Sequence, residues 1–428
     1  MGSPSKMRKR VLMIAFHFPP LVGTSGIERT LRFARHLPEF GWEPEVLTVH
    51  PRAYDALGDT SSVPADLRVH RAQAFDAARH LAVAGRYPGF LARPDRWNSW
   101  RFAAVPLGLL VIRRFRPHVV WSTYPIATAH AIGATLARRT ERPWVADFRD
   151  PMAQDGYPPD PVTWQQFARI EAHALRHARR SVFVTDGAAR TYRARYPDAA
   201  SRVRVIENGY DEESFAGLDA PRAKPARNAR IVIVHSGIVY PSERDPTALF
   251  AALRELRDAG RLRAADVLVR FRAPVHDALL HDLADRYGVR EFLDVAPRVA
   301  YREALAELVA ADGLLVLQAA NCNEQVPAKL YEYFRAGRPI LGLADPSGDT
   351  AGVMRRAGIR HIAALEDARG IAQQLADFVR DVRAGAARLP DAGFVREASR
   401  RERTAQLARL FEETLDAPAA GVPGGADA

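Results

Sequence analysis

The chain has 428 residues, a formal net charge of +11 and a single cysteine, Cys322. This length exceeds one typical core, so we expect two domains of about 200 residues each. One thiol excludes a disulfide framework and a cysteine-based metal cluster, and no apolar run approaches the ~18 residues of a membrane span. These properties favour a globular cytoplasmic protein. The arginines are dispersed along the chain, and no nucleic-acid-binding motif is present.

Strand-like apolar runs alternate with helical patterns almost from end to end, which is typical of β-α-β units and parallel sheets. The predicted strands of the first half span residues 11–16, 45–49, 119–122, 144–147, 181–185 and 203–206. Those of the second half span residues 231–235, 267–271, 314–318 and 340–343. The predicted fold class is α/β, with doubly wound parallel sheets.

Domain boundaries follow from the breaks in this pattern. Residues 217–229 contain prolines, alanines and mixed charge without apolar periodicity, and they are the predicted linker. They separate an N-terminal domain, residues 1–216, from a C-terminal domain, residues 230–392. A helical pattern at 393–416 follows, with packing back onto the N-terminal domain as one option, and residues 417–428 are predicted to form a disordered tail.

Two strand ends in the first half carry candidate site residues. His17 follows the first strand, and Gly23 and Gly26 lie in the next loop, where glycine lets a backbone approach a ligand closely. The spacing is not the GxGxxG fingerprint of dinucleotide enzymes, so a nicotinamide oxidoreductase is disfavoured. The segment Asp147-Phe148-Arg149-Asp150 suits hydroxyl or phosphate recognition, or a local salt bridge.

The segment from Trp97 to Arg116 is apolar, with flanking tryptophans and a basic cluster. Such a helix can rest on a membrane surface or line a groove for an acceptor. Burial within the first domain is an equally simple interpretation of the same pattern.

The second half contains two basic residues, Arg244 and Lys329, that are candidates for binding a diphosphate. Gly237 follows a predicted strand and permits close approach of a diphosphate, and Arg244 offers a permanently charged fork of donors. Lys329 is the only lysine after residue 224, and it lies between Glu324 and Glu332 in the segment EQVPAKLYEYFRAGRPIL.

This segment also has the signals of a phosphate-binding helix. Pro327 suits its first turn, which would leave the next three backbone amides unpaired, and Gly337 suits the left-handed residue that ends it. The two glutamates are too far apart to act as an adjacent pair, but they can hold opposite ends of an extended ligand. An exposed amphipathic helix with solvated charges is the alternative.

Taken in order, these segments resemble the GT-B glycosyltransferases, specifically glycosyltransferase family 4. The resemblance implies two Rossmann-like domains facing across a cleft. It implies that Glu332 binds the ribose, that Glu324 binds the transferred sugar, and that Gly237, Arg244 and Lys329 bind the diphosphate. Gly23 and Gly26 join the expected donor-binding residues. The family more often has an arginine where this chain has Ile238, so Arg244, Lys329 and the helix terminus must supply the charge.

The activity that the resemblance implies is sugar transfer from a nucleoside diphosphate sugar to an acceptor hydroxyl or amine, with retention of configuration. A UDP-sugar is the favoured donor, and the acceptor is a glycan precursor or a secondary metabolite. No cofactor and no metal site are expected. Glu324, Lys329 and Arg244 are the expected catalytic residues, with His17 and Asp147 on the acceptor side.

Two other functions fit the same fold. A nucleotide-sugar 2-epimerase would bind the same donor but would need acid and base groups and no acceptor. A non-catalytic partner protein would bind no nucleotide. Peripheral contact of the N-terminal domain with the inner face of a membrane is a further expectation, and the sequence leaves the oligomeric state open.

Overall fold

The computed structural model describes residues 8–24, 26–218 and 229–416. The chain forms two compact units, the first comprising Met1–Glu207 and Arg400–Ala428, the second comprising Asn208–Ser399. The boundary therefore lies earlier than predicted, because Tyr210 and Phe215 pack in the core of the second unit. Most of the predicted linker (217–229) and the whole of the predicted tail (417–428) fall outside the described residues.

The elements alternate along the chain as strands and helices. The strands are β1 (Lys9–Ile14), β2 (Trp42–Val49), β3 (Arg68–Ala72), β4 (Val119–Thr123), β5 (Trp144–Arg149), β6 (Arg180–Phe183), β7 (Val203–Val205), β8 (Ile231–Ser236), β9 (Val267–Arg272), β10 (Leu293–Ala296), β11 (Gly313–Gln318), β12 (Ile340–Ala344) and β13 (Ile362–Ala363). The α-helices are α1 (Gly26–His36), α2 (Ala77–His80), α3 (Trp100–Phe115), α4 (Ala127–Thr140), α5 (Pro161–His177), α6 (Asp186–Arg195), α7 (Thr247–Asp258), α8 (Asp277–Tyr287), α9 (Tyr301–Ala310), α10 (Lys329–Ala336), α11 (Asp349–Arg356), α12 (Ala368–Ala384), α13 (Ala392–Glu397) and α14 (Arg400–Asp416).

Each unit is built on one parallel sheet. The first has seven strands in the order β3-β2-β1-β4-β5-β6-β7, and the second has six in the order β10-β9-β8-β11-β12-β13. The predicted α/β class with doubly wound parallel sheets is confirmed. Because every strand of a sheet runs the same way, all carboxyl ends meet at one edge, where ligands bind in such folds.

The central strands are apolar because both of their faces are covered. In β1, Leu12 and Ile14 join the core on one side of the first sheet, whereas Val11 and Met13 join the core on the other. This alternation follows from the two-residue period of a strand. The strand is therefore buried from Val11 to Ile14.

The predicted C-terminal helix is two helices, α13 and α14, and α14 belongs to the first unit. Phe411 of α14 packs against Trp42 of β2, with ring centroids 5.0 Å apart. The indole Nε1 of Trp42 donates to Oε1 of Glu412 at 3.1 Å. The end of the chain therefore completes the core on one face of the first sheet.

Helix α3 holds the apolar segment that sequence analysis left open. Its Trp100 and Phe115 are buried, while Phe102 is 73% exposed and Leu110 is 43% exposed. Burial is therefore correct for one face of the helix. No helix among the described residues is long and apolar enough to cross a membrane.

Candidate active site

The loop after β8 is shaped around a glycine. Gly237 has a φ of 104°, which L side chains rarely adopt, and a Cβ there would lie 2.9 Å from Nζ of Lys329. The Ser236 amide donates to the Tyr333 hydroxyl at 2.8 Å. The Gly237 amide donates to the Arg272 carbonyl, also at 2.8 Å. A side chain at position 237 would displace the lysine, so the close approach predicted there has a steric basis.

Lys329 begins α10 and is partly buried beside this loop. Its Nζ lies 3.4 Å from Nε2 of His235. Nδ1 of His235 lies 3.0 Å from the Leu315 carbonyl, so we assign the ring proton to Nδ1 and the Nε2 lone pair to Lys329. Burial and the charge of Arg244 lower the pKa of Lys329 to about 7, against the opposing effect of Glu332. Burial also lowers the pKa of His235 well below its usual value, so the imidazole is neutral.

Arg244 is the second cation at this loop. Its Nη1 donates to the Ile238 carbonyl at 2.9 Å, and its guanidinium lies 5.2 Å from the ring centroid of Tyr240. Its Nε is buried and has no hydrogen-bond partner among the described residues. Because the charge of Arg244 helps to lower the pKa of Lys329, the two predicted cations act on one small volume. Such a pair is stabilised when an anion binds between its members.

The two glutamates lie on the chain segments around Lys329. Glu332 is inside α10, and its Oε1 accepts a hydrogen bond from the Tyr301 hydroxyl at 2.8 Å. Glu324 is on the segment between β11 and α10, and it is partly buried. The carbonyl of the next residue, Gln325, accepts a hydrogen bond from a threonine of α11 at 2.9 Å, which fixes this segment. The ribose and sugar roles of the glutamates stay predictions.

The start of α10 differs from the prediction. The helix begins at Lys329 with Ala328 as its N-cap residue, two residues later than the proline suggested. The Leu330 amide donates to the Pro327 carbonyl at 2.9 Å, so it is not one of the unpaired amides. At the other end, Gly337 has a φ of 66° and ends the helix, as predicted.

Sequence reasoning missed His235, Tyr333 and Tyr301 as parts of this site. His235 carried a signal, since a polar residue at the carboxyl end of a central strand lies at the ligand-binding edge. The two tyrosines carried none, because their partners are 97 residues away for Tyr333 and 31 residues away for Tyr301.

Two other kinds of site, a cysteine nucleophile and a metal centre, were also considered. Cys322 is buried, and burial raises the pKa of its thiol, so it is not an activated nucleophile. In the described part of the chain, no group of three His, Cys, Asp or Glu side chains could hold a metal ion.

In the first unit, Asp147 has a structural position. Its carboxylate is fully buried and receives two hydrogen bonds from Arg29, at 2.8 and 2.9 Å, and a third from Thr123 at 3.0 Å. Arg29 also donates to the carbonyls of Ile206 and Glu207. The prediction of an acceptor-side role for Asp147 is therefore replaced by one in which it holds α1 against β5 and the end of β7.

His17 and Gly26 lie together with Arg149. A Cβ on Gly26 would collide with Nδ1 of His17 and lie 3.0 Å from Nη1 of Arg149, so only glycine fits there. Burial and the charge of Arg149 lower the pKa of His17 to about 4. Gly23 has a φ of 86° and is exposed. Arg149 itself has a φ of 61°, a conformation that costs a residue with a side chain about 1–2 kcal/mol.

Comparison with known proteins accounts for these features together. Residues 25–209 match the family model described as a glycosyl transferase 4-like domain. The matched residues make up most of the first unit. The chain has the two-domain GT-B fold, and its first unit resembles a glycosyl transferase 4-like domain. Curated protein sequences give no match.

Solved structures share this fold over nearly the whole length of the chain. Sucrose-phosphate synthase from Thermosynechococcus elongatus is similar with a TM-score of 0.63 and 13% identity, over 96% of this chain and 100% of that one. Anabaena HepE in complex with UDP has a TM-score of 0.59 and 14% identity, over 94% and 100%. The α,α-trehalose 6-phosphate synthase of Burkholderia multivorans has a TM-score of 0.63 and 11% identity, over 96% and 97%.

Proposed function

We propose that this protein is a glycosyltransferase that moves a sugar from a nucleoside diphosphate sugar to a hydroxyl or amine of an acceptor, with retention and without a metal ion. The observation that carries the proposal is the pair of cations at the Gly237 loop, in which Lys329 has a pKa of about 7 beside Arg244. A diphosphate supplies the negative charge that the pair lacks. Because HepE binds UDP, a UDP-sugar is the first donor to test.

The donor occupies the second unit in this proposal. The diphosphate lies against Gly237, where a side chain would obstruct it, and receives hydrogen bonds from Lys329 and Arg244. Glu332 accepts hydrogen bonds from the ribose hydroxyls, and Glu324 accepts them from the transferred sugar. Tyr301 holds Glu332 by a hydrogen bond of 2.8 Å, so the carboxylate is oriented before the ribose arrives.

The chemical step moves charge onto the diphosphate. The bond between C1 of the sugar and the diphosphate oxygen breaks, and its electron pair stays on that oxygen. The acceptor oxygen or nitrogen forms the new bond to C1 from the same face, and its proton passes to a diphosphate oxygen. Lys329 and Arg244 stabilise the negative charge as it develops, so the step needs neither a metal nor a covalent carboxylate intermediate.

The acceptor binds the first unit, at the carboxyl edge of its sheet. His17 lies beside Gly26. Gly23 and Gly26 follow His17 in the chain and keep their predicted role as donor-binding residues. Because burial and Arg149 lower the pKa of His17 to about 4, the imidazole is neutral near pH 7 and can accept a proton or a hydrogen bond. A glycan precursor and a secondary metabolite both remain candidate acceptors.

We also propose a peripheral contact of the first unit with an anionic membrane. Phe102 and Leu110 are exposed on α3, and Arg101, Arg113 and Arg114 on the same helix are exposed as well. An apolar ridge with flanking cations is the pattern of an interfacial helix. Phe102→Ser is expected to reduce co-sedimentation with vesicles containing phosphatidylserine, and equal co-sedimentation of both proteins would contradict the contact.

Nucleotide binding followed by product analysis tests the central proposal. Calorimetric titration with UDP, GDP, ADP and dTDP should identify one tight ligand, and the corresponding sugar nucleotide should then give a glycosylated acceptor by mass spectrometry. Activity should persist in EDTA, and NMR of the product should show the anomeric configuration of the donor. An inverted product would contradict the same-face displacement.

Incubation of the donor alone separates the other two functions. Rapid formation of an epimer without acceptor would favour a nucleotide-sugar 2-epimerase over a transferase. Failure to bind any of the four nucleotides would favour a non-catalytic protein of the same fold.

A further inference from the structure

One buried cation of the first unit forms no direct ion pair within the described part of the chain. Arg149 ends β5, is 8% exposed, and makes one hydrogen bond within the described part of the chain, from Nη1 to the Tyr124 carbonyl at 3.5 Å. Its Nε is buried without a partner there. A guanidinium offers five donors, so most of the hydrogen-bonding capacity of Arg149 is unused.

The neighbouring carboxylates make no direct contact with it in the described structure. Asp147 is engaged by Arg29 in a buried ion pair. Glu28, in the first turn of α1, accepts from Arg32 at 3.0 Å. Asp150 is next in the chain, but it forms no ion pair with Arg149 in the described structure, and burial raises the pKa of its carboxyl group. Burial lowers the pKa of Arg149 and the charges of Asp150 and Asp147 raise it, but neither carboxylate hydrogen-bonds to the guanidinium in the described structure.

The rest of the surroundings is also suited to an anion. Nη1 of Arg149 would lie 3.0 Å from a Cβ on Gly26, so the guanidinium is aimed at the first residue of α1. The Gly26 amide donates to Oγ1 of Thr24 at 3.3 Å. The start of the helix also carries partial positive charge. Nδ1 of His17, which lies over the same glycine, is buried and has no partner among the described residues. The positive φ of Arg149 holds the side chain in this position at a cost in backbone strain.

We propose that Arg149, which ends β5 and faces the start of α1, binds a carboxylate or phosphate group of the acceptor. This inference rests on the proposed function, in which the first unit binds the acceptor and the donor diphosphate has its own cations, Lys329 and Arg244. The acceptor is accordingly an anionic molecule, either a sugar phosphate or a compound with a carboxylate. Arg149 binds it through two parallel hydrogen bonds, which a planar guanidinium gives to both groups.

Calorimetry on the full-length protein tests the site with inorganic phosphate and acetate as probes. UDP is present at saturation, so that the cations of the second unit are occupied. Wild type is expected to bind one of the two probes saturably, and the tighter probe identifies the class of anion. Arg149→Met should weaken that binding at least tenfold, whereas Arg138→Met, which removes an exposed arginine of the same unit, should leave it unchanged.

Three outcomes would overturn the inference. The first is equal probe affinity in wild type and Arg149→Met, and the second is no saturable binding of either probe. The third is a parallel loss of UDP affinity in Arg149→Met, which would assign the anion site to the donor. If another of the four nucleotides binds instead of UDP, that nucleotide replaces UDP in the titration. If none of the four binds, the proposed function fails, and the same titration in a Lys329→Met background still tests Arg149.

Thermal unfolding without ligand provides an independent readout. A buried charge without a direct ion pair, on a strained residue, is destabilising, so Arg149→Met should unfold at the same temperature as wild type or higher. A structural arginine would behave oppositely, and a lower unfolding temperature would contradict the binding role. If Arg149→Met does not fold, Arg149→Lys is the second variant, because it keeps the positive charge but cannot give two parallel hydrogen bonds. Unchanged probe affinity in Arg149→Lys would contradict binding through two hydrogen bonds.

Discussion

Two cations, Arg29 in α1 and Lys329 in α10, differ in how their charge is satisfied. Arg29 is 2% exposed and donates to both oxygens of Asp147 and to two backbone carbonyls, at 2.8–3.3 Å. Lys329 has one acceptor, His235 at 3.4 Å, and a second cation, Arg244, that lowers its pKa. A charge that stabilises the fold is paired within the fold. The charge of Lys329 has fewer partners within the fold, and this shortage is the reason for proposing that it binds a ligand.

Removal of Arg29 should have the largest effect. Arg29→Met leaves the carboxylate of Asp147 buried without its ion pair, which typically costs 3–5 kcal/mol, so about that loss is expected in the free energy of unfolding. Urea unfolding followed by circular dichroism measures it. Arg138→Met, in an exposed position of the same unit, should change the free energy by less than about 0.5 kcal/mol. A loss below about 1 kcal/mol for Arg29→Met would mean that its ion pair with Asp147 does not stabilise the fold.

Removal of Lys329 should have the opposite effect on stability and a large effect on catalysis. Lys329→Met is expected to lower turnover by roughly 10²–10³-fold, as for loss of one donor to a developing anion. Without ligand, the variant should unfold a few degrees above wild type at pH 7, because a buried charge near Arg244 is removed. Arg360→Met, at an exposed position of the same unit, is the matched control. Near-normal turnover, or lowered stability, would place Lys329 with Arg29 among the structural cations.

Removal of Glu332 tests the donor side of the same site. Glu332→Ala should weaken UDP binding by roughly 10–100-fold, because hydrogen bonds to a charged group are worth about 1.5–3 kcal/mol. Calorimetry gives the affinity, and Glu366→Ala, at an exposed position of the second unit, is the control. If UDP affinity were unchanged, the ribose would have to be held elsewhere.

Much of this architecture follows from local sequence. All ten predicted strands are strands, because central parallel strands are apolar on both faces. The three that were missed, β3, β10 and β13, lie at sheet edges. Edge strands are short and partly exposed, so they need fewer apolar residues. β3 has the sequence Arg-Val-His-Arg-Ala, and without an apolar run it was not predicted as a strand.

The candidate site also has residues that carry a local sequence signal and contacts that do not. Gly237 and Lys329 were predicted as site residues because a glycine after a strand and a rare lysine at a helix start are local signals, and their roles stay predictions. The pairing of His235 with Lys329 spans 94 residues, and that of Arg29 with Asp147 spans 118. Such contacts depend on which strands become neighbours, and the local pattern does not specify them. Asp147 therefore looked like a ligand-binding group until its partner was located.

The pH dependence of UDP binding tests whether Lys329 gains a proton when the nucleotide binds. With a pKa of about 7, Lys329 is charged below pH 7 and loses its proton as the pH rises through that value. A bound diphosphate favours the charged form, so binding at pH 8 should take up about one proton and affinity should fall about tenfold per pH unit above 7. Calorimetry in buffers of different ionisation enthalpy counts the proton. Lys329→Met should take up none, and proton uptake in that variant would assign the titration to another group.

Tyr301 provides the smallest test, because it acts through another residue. Its hydroxyl donates to Oε1 of Glu332 at 2.8 Å, so Tyr301→Phe leaves the carboxylate in place and removes one bond that orients it. One hydrogen bond contributes about 0.5–1.5 kcal/mol, and UDP affinity should therefore fall roughly 2–12-fold, less than for Glu332→Ala. In the Glu332→Ala background the same change should have no effect, because the acceptor is gone. An equal effect in both backgrounds would mean that Tyr301 contacts the nucleotide directly rather than through Glu332.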